Sequence, residues 1–155
     1  PSAPDMLAYL LQHLIFCAVR PHEHPECRTH LLLPGQSQTL ADIPQAAARA
    51  QLAQWLAYFR LGQSRPLPFF AKTGLAVAEV LSSNKADSLE RAQQSARSEY
   101  HGSKKSTGQR DYIEVDLVFG RDSVEPIDTP LFWNLLEDLL VPLLQALQAE
   151  AATAD

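Results

Sequence analysis

The sequence predicts one α/β domain over residues 1–155, built as a small mixed sheet with helices on both sides. Three observations predict it. The run Tyr112–Phe119 alternates apolar Ile113, Val115, Leu117 and Phe119 with acidic Glu114 and Asp116, the period-two pattern of a strand with one buried face. Apolar stripes at helical spacing flank that run in both chain directions. At 155 residues, 46% of them hydrophobic and 20% charged, the chain can bury one core without disulfides or metals.

The elements follow in chain order. Asp5 is a suitable N-cap for a first helix in which Leu7, Leu10, Leu11, Leu14 and Ala18 recur at helical spacing, ending before Pro21. Pro21–Cys27 reads as a polar loop. Thr29–Leu33 and Gln38–Ile43 flank Pro34-Gly35 as a short hairpin. A second helix runs from near Pro44 to Gly62 with Ala48, Leu52, Trp55, Leu56 and Phe59 on one stripe. Two prolines then forbid a regular helix through Pro66-Leu67-Pro68-Phe69-Phe70, although the bulky side chains there need burial, so Phe69 and Phe70 are expected to anchor an extended segment. A short helix over Leu75–Leu81 follows. Asp87 and Glu90 form a capping-box pattern for a helix reaching about Tyr100. Gly102–Arg110 reads as an exposed basic loop, and Tyr112–Phe119 as the central strand. Thr129-Pro130 opens a last helix carrying Phe132, Leu136, Leu139, Leu143 and Leu147, with a kink expected near Pro142.

Charge and cysteine usage narrow the function classes. The net charge of -5 disfavours adhesion of the whole chain to nucleic acid, so DNA contact would need a local patch or a basic partner. Lys104, Lys105 and Arg110 supply such a patch. Cys17 and Cys27 are too few for a disulfide framework, which points to a reducing cytoplasm. Leu7–Val19 is short and interrupted by Gln12 and His13, so it reads as a buried helix and not a membrane span. The opening Pro-Ser-Ala-Pro reads as a linker, and the chain as a fragment of a larger polypeptide.

Two constellations have chemical potential. Glu114 and Asp116, on one strand face, resemble the carboxylates by which a Mg²⁺-dependent nuclease holds its ion. Such sites also place a lysine two residues beyond an acid. Here Lys72, Lys85, Lys104 and Lys105 follow Phe70, Ser83, Gly102 and Ser103 at that spacing, so the pairing is missing. An active nuclease is therefore an alternative and not the leading reading. His22, His24, Cys27 and His30 contain zinc-type ligands without a typical spacing, so a zinc-stabilised interaction module is a second alternative. No metal or cofactor is expected. No phosphate-binding glycine loop and no G-x-S-x-G elbow occurs.

The run Leu56-Ala57-Tyr58-Phe59-Arg60-Leu61-Gly62, followed by Pro66-Leu67-Pro68-Phe69-Phe70-Ala71-Lys72-Thr73, resembles the C-terminal region of the RecC family, the gamma subunits of exodeoxyribonuclease V (RecBCD). Tyr100-His101-Gly102, Phe119-Gly120-Arg121-Asp122 and the leucine-rich end with Pro142-Leu143-Leu144 agree in order, as does the opening Leu10–Cys17 helix. Ala71, Leu75 and Tyr100 depart from the family pattern. The resemblance implies a restriction-endonuclease-like fold without an active site. It further implies a non-catalytic, cytoplasmic part of the helicase–nuclease complex that supports subunit assembly and DNA strand separation in double-strand break repair and homologous recombination. The implied partners are the RecB and RecD subunits and DNA at the duplex/single-strand junction, with no membrane. Lys104, Lys105 and Arg110 are the expected DNA or partner contacts.

Overall fold

The computed structural model describes residues 2–21, 23–24, 26–33, 36–83, 85–103, 106–120 and 124–149. Helix α1 (Ala3–Val19) leads into an antiparallel hairpin of β1 (Thr29–Leu33) and β2 (Gln36–Leu40), with Thr29 opposite Leu40. Helices α2 (Gln45–Gly62), α3 (Ala71–Ser82) and α4 (Ser88–His101) follow. A two-residue ribbon, β3 (Gly102–Ser103) and β4 (Ser106–Thr107), and a 3₁₀ turn at Gln109–Asp111 lead to α5 (Ile113–Phe119). After a 3₁₀ turn at Pro126–Asp128, the chain closes with α6 (Pro130–Leu135), a π-helical stretch Leu136–Leu140 and α7 (Val141–Ala149).

Local chemistry accounts for the helix ends. Ser2, not Asp5, caps α1. Its hydroxyl oxygen accepts from the Asp5 N–H while the Asp5 carboxylate accepts from the Ser2 N–H, a reciprocal capping box. The Ser2 hydroxyl, donating to that carboxylate at 2.6 Å, and then the Ser2 N–H hold the Asp5 carboxyl below its usual range. Thr129 Oγ1 accepts from the Phe132 N–H, with Pro130 at the first helical position, as expected. Asp87 precedes α4 but makes no side-chain cap; its carboxylate lies 3.7 Å from Arg91 instead. The disruption expected at Pro142 takes the form of a wider turn. Proline removes one backbone donor and crowds the carbonyl of Asp138, and the π-helical residues just before α7 accommodate that loss.

The core lies between α1, α3, α4 and the closing helices. Leu10, Leu14, Val77, Ala92, Phe132, Leu136, Leu140 and Leu143 are buried there. Phe70 is its aromatic hub, with ring centroids 5.4 Å from Tyr100, 5.7 Å from Phe119 and 6.3 Å from Phe132. The segment Pro66–Phe70 is irregular, as its two prolines require, and Phe70 anchors it to the core while Phe69 is half-buried.

The α/β expectation does not hold. Among the described residues β-structure is confined to two separate two-stranded hairpins, so a restriction-endonuclease-like mixed sheet is not what this chain builds. Tyr112–Phe119, expected as the central strand, is the N-cap residue and helix of α5. The reason lies in the pattern itself. An alternating set at 113, 115, 117 and 119 also contains two pairs at i, i+4, which on a helix fall about 200° apart. Val115 and Phe119 form the inner stripe and pack on the core, whereas Ile113 and Leu117 form the outer one. Capture of Phe119 by Phe70 favours the helix, because among the described residues no strand lies beside it to satisfy an extended backbone.

This correction is testable by substitution. Leu117 is 76% exposed, so Leu117→Glu should change unfolding free energy by no more than about 0.5 kcal/mol. A buried strand position would lose several times that. Urea denaturation of the two proteins distinguishes the outcomes.

Candidate functional site

Helix α2 is long but poorly covered: of its residues, Ala48 alone is buried. Its first turns are held to the end of α1, where Gln45 Nε2 donates to the Arg20 carbonyl at 2.8 Å and Arg49 Nε to the Ala18 carbonyl at 2.9 Å. These bonds satisfy carbonyls that the end of α1 leaves unpaired. Further along, the stripe anticipated from sequence is only partly buried. Trp55 packs edge-on against Phe69, with centroids 5.6 Å apart, while Leu56 and Phe59 are 49% and 65% exposed.

Trp55, Tyr58, Phe59, Leu67, Leu135 and Leu139 line a groove of about 280 Å³ beside this stripe. Next to it the Tyr58 hydroxyl donates to Asp138 Oδ2 at 2.5 Å. Burial, and then the Asp138 carboxylate, push the Tyr58 phenol up to about 12, so it stays a donor. Trp55 Nε1–H is buried and has no acceptor among the described residues. An unpaired buried donor is costly, and an incoming carbonyl would relieve it.

A second apolar surface lies on and beside α5, where Tyr112, Ile113, Leu117, Val118 and Val124 are exposed. The basic residues expected to make contact lie nearby in sequence. Lys104 and Lys105 fall outside the described residues. Arg110 is exposed on its 3₁₀ turn but already engaged: Nη1 donates to His101 Nδ1 at 3.0 Å and lies 3.9 Å from Glu125. His101 Nε2 is in turn 3.0 Å from Glu125. Arg110 therefore belongs to a compensated charge group instead of standing free.

The carboxylates considered for a nuclease do not converge. Glu114 and Asp116 sit two residues apart on α5, about 200° around the helix, and both are exposed. Of the four zinc-type residues considered, His22 falls outside the described residues, while His24 and His30 are exposed, with His30 Nδ1 3.0 Å from Thr39 Oγ1. Cys27 instead joins residues that sequence reasoning passed over. His13, Cys17 and Cys27 bring ligand-type atoms within 4.8 Å of one another. His13 and Cys17 are one helical turn apart on the inner face of α1, a spacing visible in the sequence but masked by the apolar run around it. His13 Nε2 lies 2.7 Å from the Ala41 carbonyl and Nδ1 2.8 Å from Thr29 Oγ1. Burial of the imidazole pulls its pKa below the ordinary histidine value, and burial pushes the Cys17 thiol up to about 11.

Among the described residues, a helical body with two small hairpins leaves apolar surfaces exposed on α2 and α5, the anatomy of a component of a larger assembly. No helix among the described residues is long and apolar enough to cross a membrane. Residues 1–82, which take in α1, the first hairpin, α2 and α3, match the family described as the RecC C-terminal domain, and the chain belongs to that family. Membership implies a part in the RecBCD complex, exodeoxyribonuclease V, and in DNA repair. No curated protein matches the chain. The Pro66–Thr73 segment that carries the sequence resemblance falls inside the matched region, whereas α4, α5 and the closing helices lie beyond it.

Proposed function

We propose that the chain is a non-catalytic docking domain of RecBCD that contacts the RecB and RecD subunits and guides separated DNA strands. The observation that carries this reading is the exposed stripe of α2, with Leu56 and Phe59 beside a groove that contains the unpaired Trp55 donor. Apolar area of this kind, next to an unsatisfied buried N–H, favours a protein partner that supplies both apolar cover and an acceptor. The surface of α5 offers a second contact face. Lys104, Lys105 and Arg110 are proposed to meet phosphates or an acidic subunit surface, Arg110 by exchanging its Glu125 contact for the incoming charge.

Co-purification tests the assembly role. The double variant Leu56→Asp/Phe59→Asp should keep the wild-type circular dichroism and thermal midpoint but lose retention by RecB and RecD. Unchanged retention would remove α2 from the interface. DNA contact is expected to be weak and sensitive to salt. Three cations on phosphates give an affinity that falls about 40-fold between 50 and 200 mM salt, by a logarithmic slope near -2.7. Lys104→Glu with Lys105→Glu should flatten that slope in fluorescence-anisotropy titrations, and an unaltered slope would exclude the loop from DNA.

A further inference from the structure

We infer that His13, Cys17 and Cys27 form a zinc site that fastens α1 to the start of the first hairpin. The geometry points to a tetrahedral thiophilic ion. Zinc bound by one imidazole and two thiolates, with bonds of about 2.0 and 2.3 Å, sets its sulfur and nitrogen ligands about 3.5 Å apart and its two sulfurs about 3.8 Å apart. Cys17 Sγ lies 3.5 Å from His13 Nε2, and all three ligand atoms fall within 4.8 Å of one another. The three ligand atoms thus close around an ion with movements of roughly 1.3 Å or less, once the Ala41 carbonyl gives way at Nε2.

The surroundings support the same assignment. Metal-bound histidines are oriented by a partner on the far ring nitrogen. Here Thr29 Oγ1 sits 2.8 Å from Nδ1, on the strand that Cys27 precedes. Cys27 is placed independently, because its backbone N–H donates to Asp42 Oδ1 at 2.8 Å and Asp42 is paired with Arg20. His13 and Cys17 are fully buried, while Cys27 is half-buried and opens the route by which an ion enters.

Charge favours a divalent thiophilic ion such as zinc over a monovalent one. Two thiolates and one Zn²⁺ leave the buried centre neutral, whereas a monovalent copper ion would leave a net negative charge inside the protein. On binding, the two thiols release their protons to solvent as both S–Zn bonds form. The imidazole proton leaves Nε2, where it serves the Ala41 carbonyl, and a proton is held on Nδ1, where Thr29 Oγ1 accepts it. The Ala41 carbonyl oxygen, 2.7 Å from Nε2, stands where the ion would bind, so it must swing aside as the proton leaves, and water or that displaced oxygen then fills the fourth position. No oxidant or reductant takes part.

Cobalt reports the ligands directly. The full chain, reduced with a phosphine and freed of metal by chelation, should take up one Co²⁺. Thiolate-to-cobalt charge transfer and tetrahedral visible bands should appear, and one equivalent of Zn²⁺ should abolish them. Cys17→Ser and His13→Gln should weaken both sets of bands. Because these two residues are buried, Cys27→Ser is the decisive variant. It should retain the fold by circular dichroism yet lose charge-transfer intensity and bind zinc at least about 100-fold more weakly, since loss of a mere outer-shell partner already costs up to that much. A reduced wild-type chain that gives no thiolate–cobalt band would overturn the assignment. So would a Cys27→Ser spectrum identical to wild type. A Cys17–Cys27 disulfide in the protein as isolated, with no metal uptake after reduction, would replace the zinc site by a redox pair.

Discussion

Gly102→Ala should unfold the chain at markedly lower denaturant, with a loss of about 3 kcal/mol or more. Gly102 ends α4 and starts β3 with φ +73° and ψ -165°, a region of backbone space that only glycine occupies without strain. Space is lacking as well as torsional freedom. A methyl group built there would lie 2.5 Å from the Ser106 carbonyl oxygen and closer still to the Gly108 backbone nitrogen, neither of which is the end of a flexible side chain. Relief would require parting β3 from β4, and with them the turn that sets Arg110 beside His101. Gly62→Ala is the natural control. There the added carbon meets only the side chain of Leu67, at 3.3 Å, and α2 should be unchanged or slightly steadier. For a chain of this length the first variant should lower the thermal midpoint by about 10 °C and the second should leave it within a few degrees. Equal midpoints would mean that the β3–β4 ribbon is not formed in solution.

Helices were legible where a cap, an apolar stripe and a stop agreed. The stripe Ala48-Leu52-Trp55-Leu56-Phe59, bounded by Pro44 and Gly62, corresponds to α2 within a residue at each end. Thr129-Pro130 likewise marks the start of α6. What periodicity does not state is how much of a stripe finds cover. The side chains of Leu56 and Phe59 fit the helical pattern as well as Ala48 does, yet of the three only Ala48 is buried. Burial is settled by neighbours far along the chain, and in this family some of those neighbours lie on other subunits under the proposed function.

The misread strand shows the same limit at shorter range. Within the run Tyr112–Phe119, two-residue alternation and four-residue recurrence are the same set of positions, so the apolar pattern has no preference between extended and helical backbone. The decision rests on Phe119 meeting Phe70 and on the lack of a paired strand, and neither is a local property. The cluster at His13 was hidden for a related reason. Cys27 comes from a loop ten residues beyond Cys17, and its approach to α1 is fixed by the Asp42 carboxylate further along the chain.

Two phenylalanines should show opposite phenotypes, and the contrast separates what folds the chain from what it presents. Phe132 is fully buried, 5.4 Å from Trp133 and 6.3 Å from Phe70 between ring centroids. Phe132→Ala removes a fully buried ring and leaves a cavity beside Phe70 and Trp133. The expected cost is about 3–5 kcal/mol, a large part of the 5–15 kcal/mol that holds a typical domain together. Partial unfolding at physiological temperature would follow, with partner retention falling in proportion to the folded fraction. Phe59→Ala deletes the same atoms from a 65% exposed position, so its stability should stay within about 0.5 kcal/mol of wild type. If α2 is the docking face, Phe59→Ala should instead weaken RecB and RecD retention at full folded fraction, because a large aromatic beside a groove is the kind of residue that carries interface energy. Denaturation and co-purification measured on both variants give four numbers. Equal loss of stability in the two would mean that α2 is covered within this chain, and its stripe would then be core and not interface.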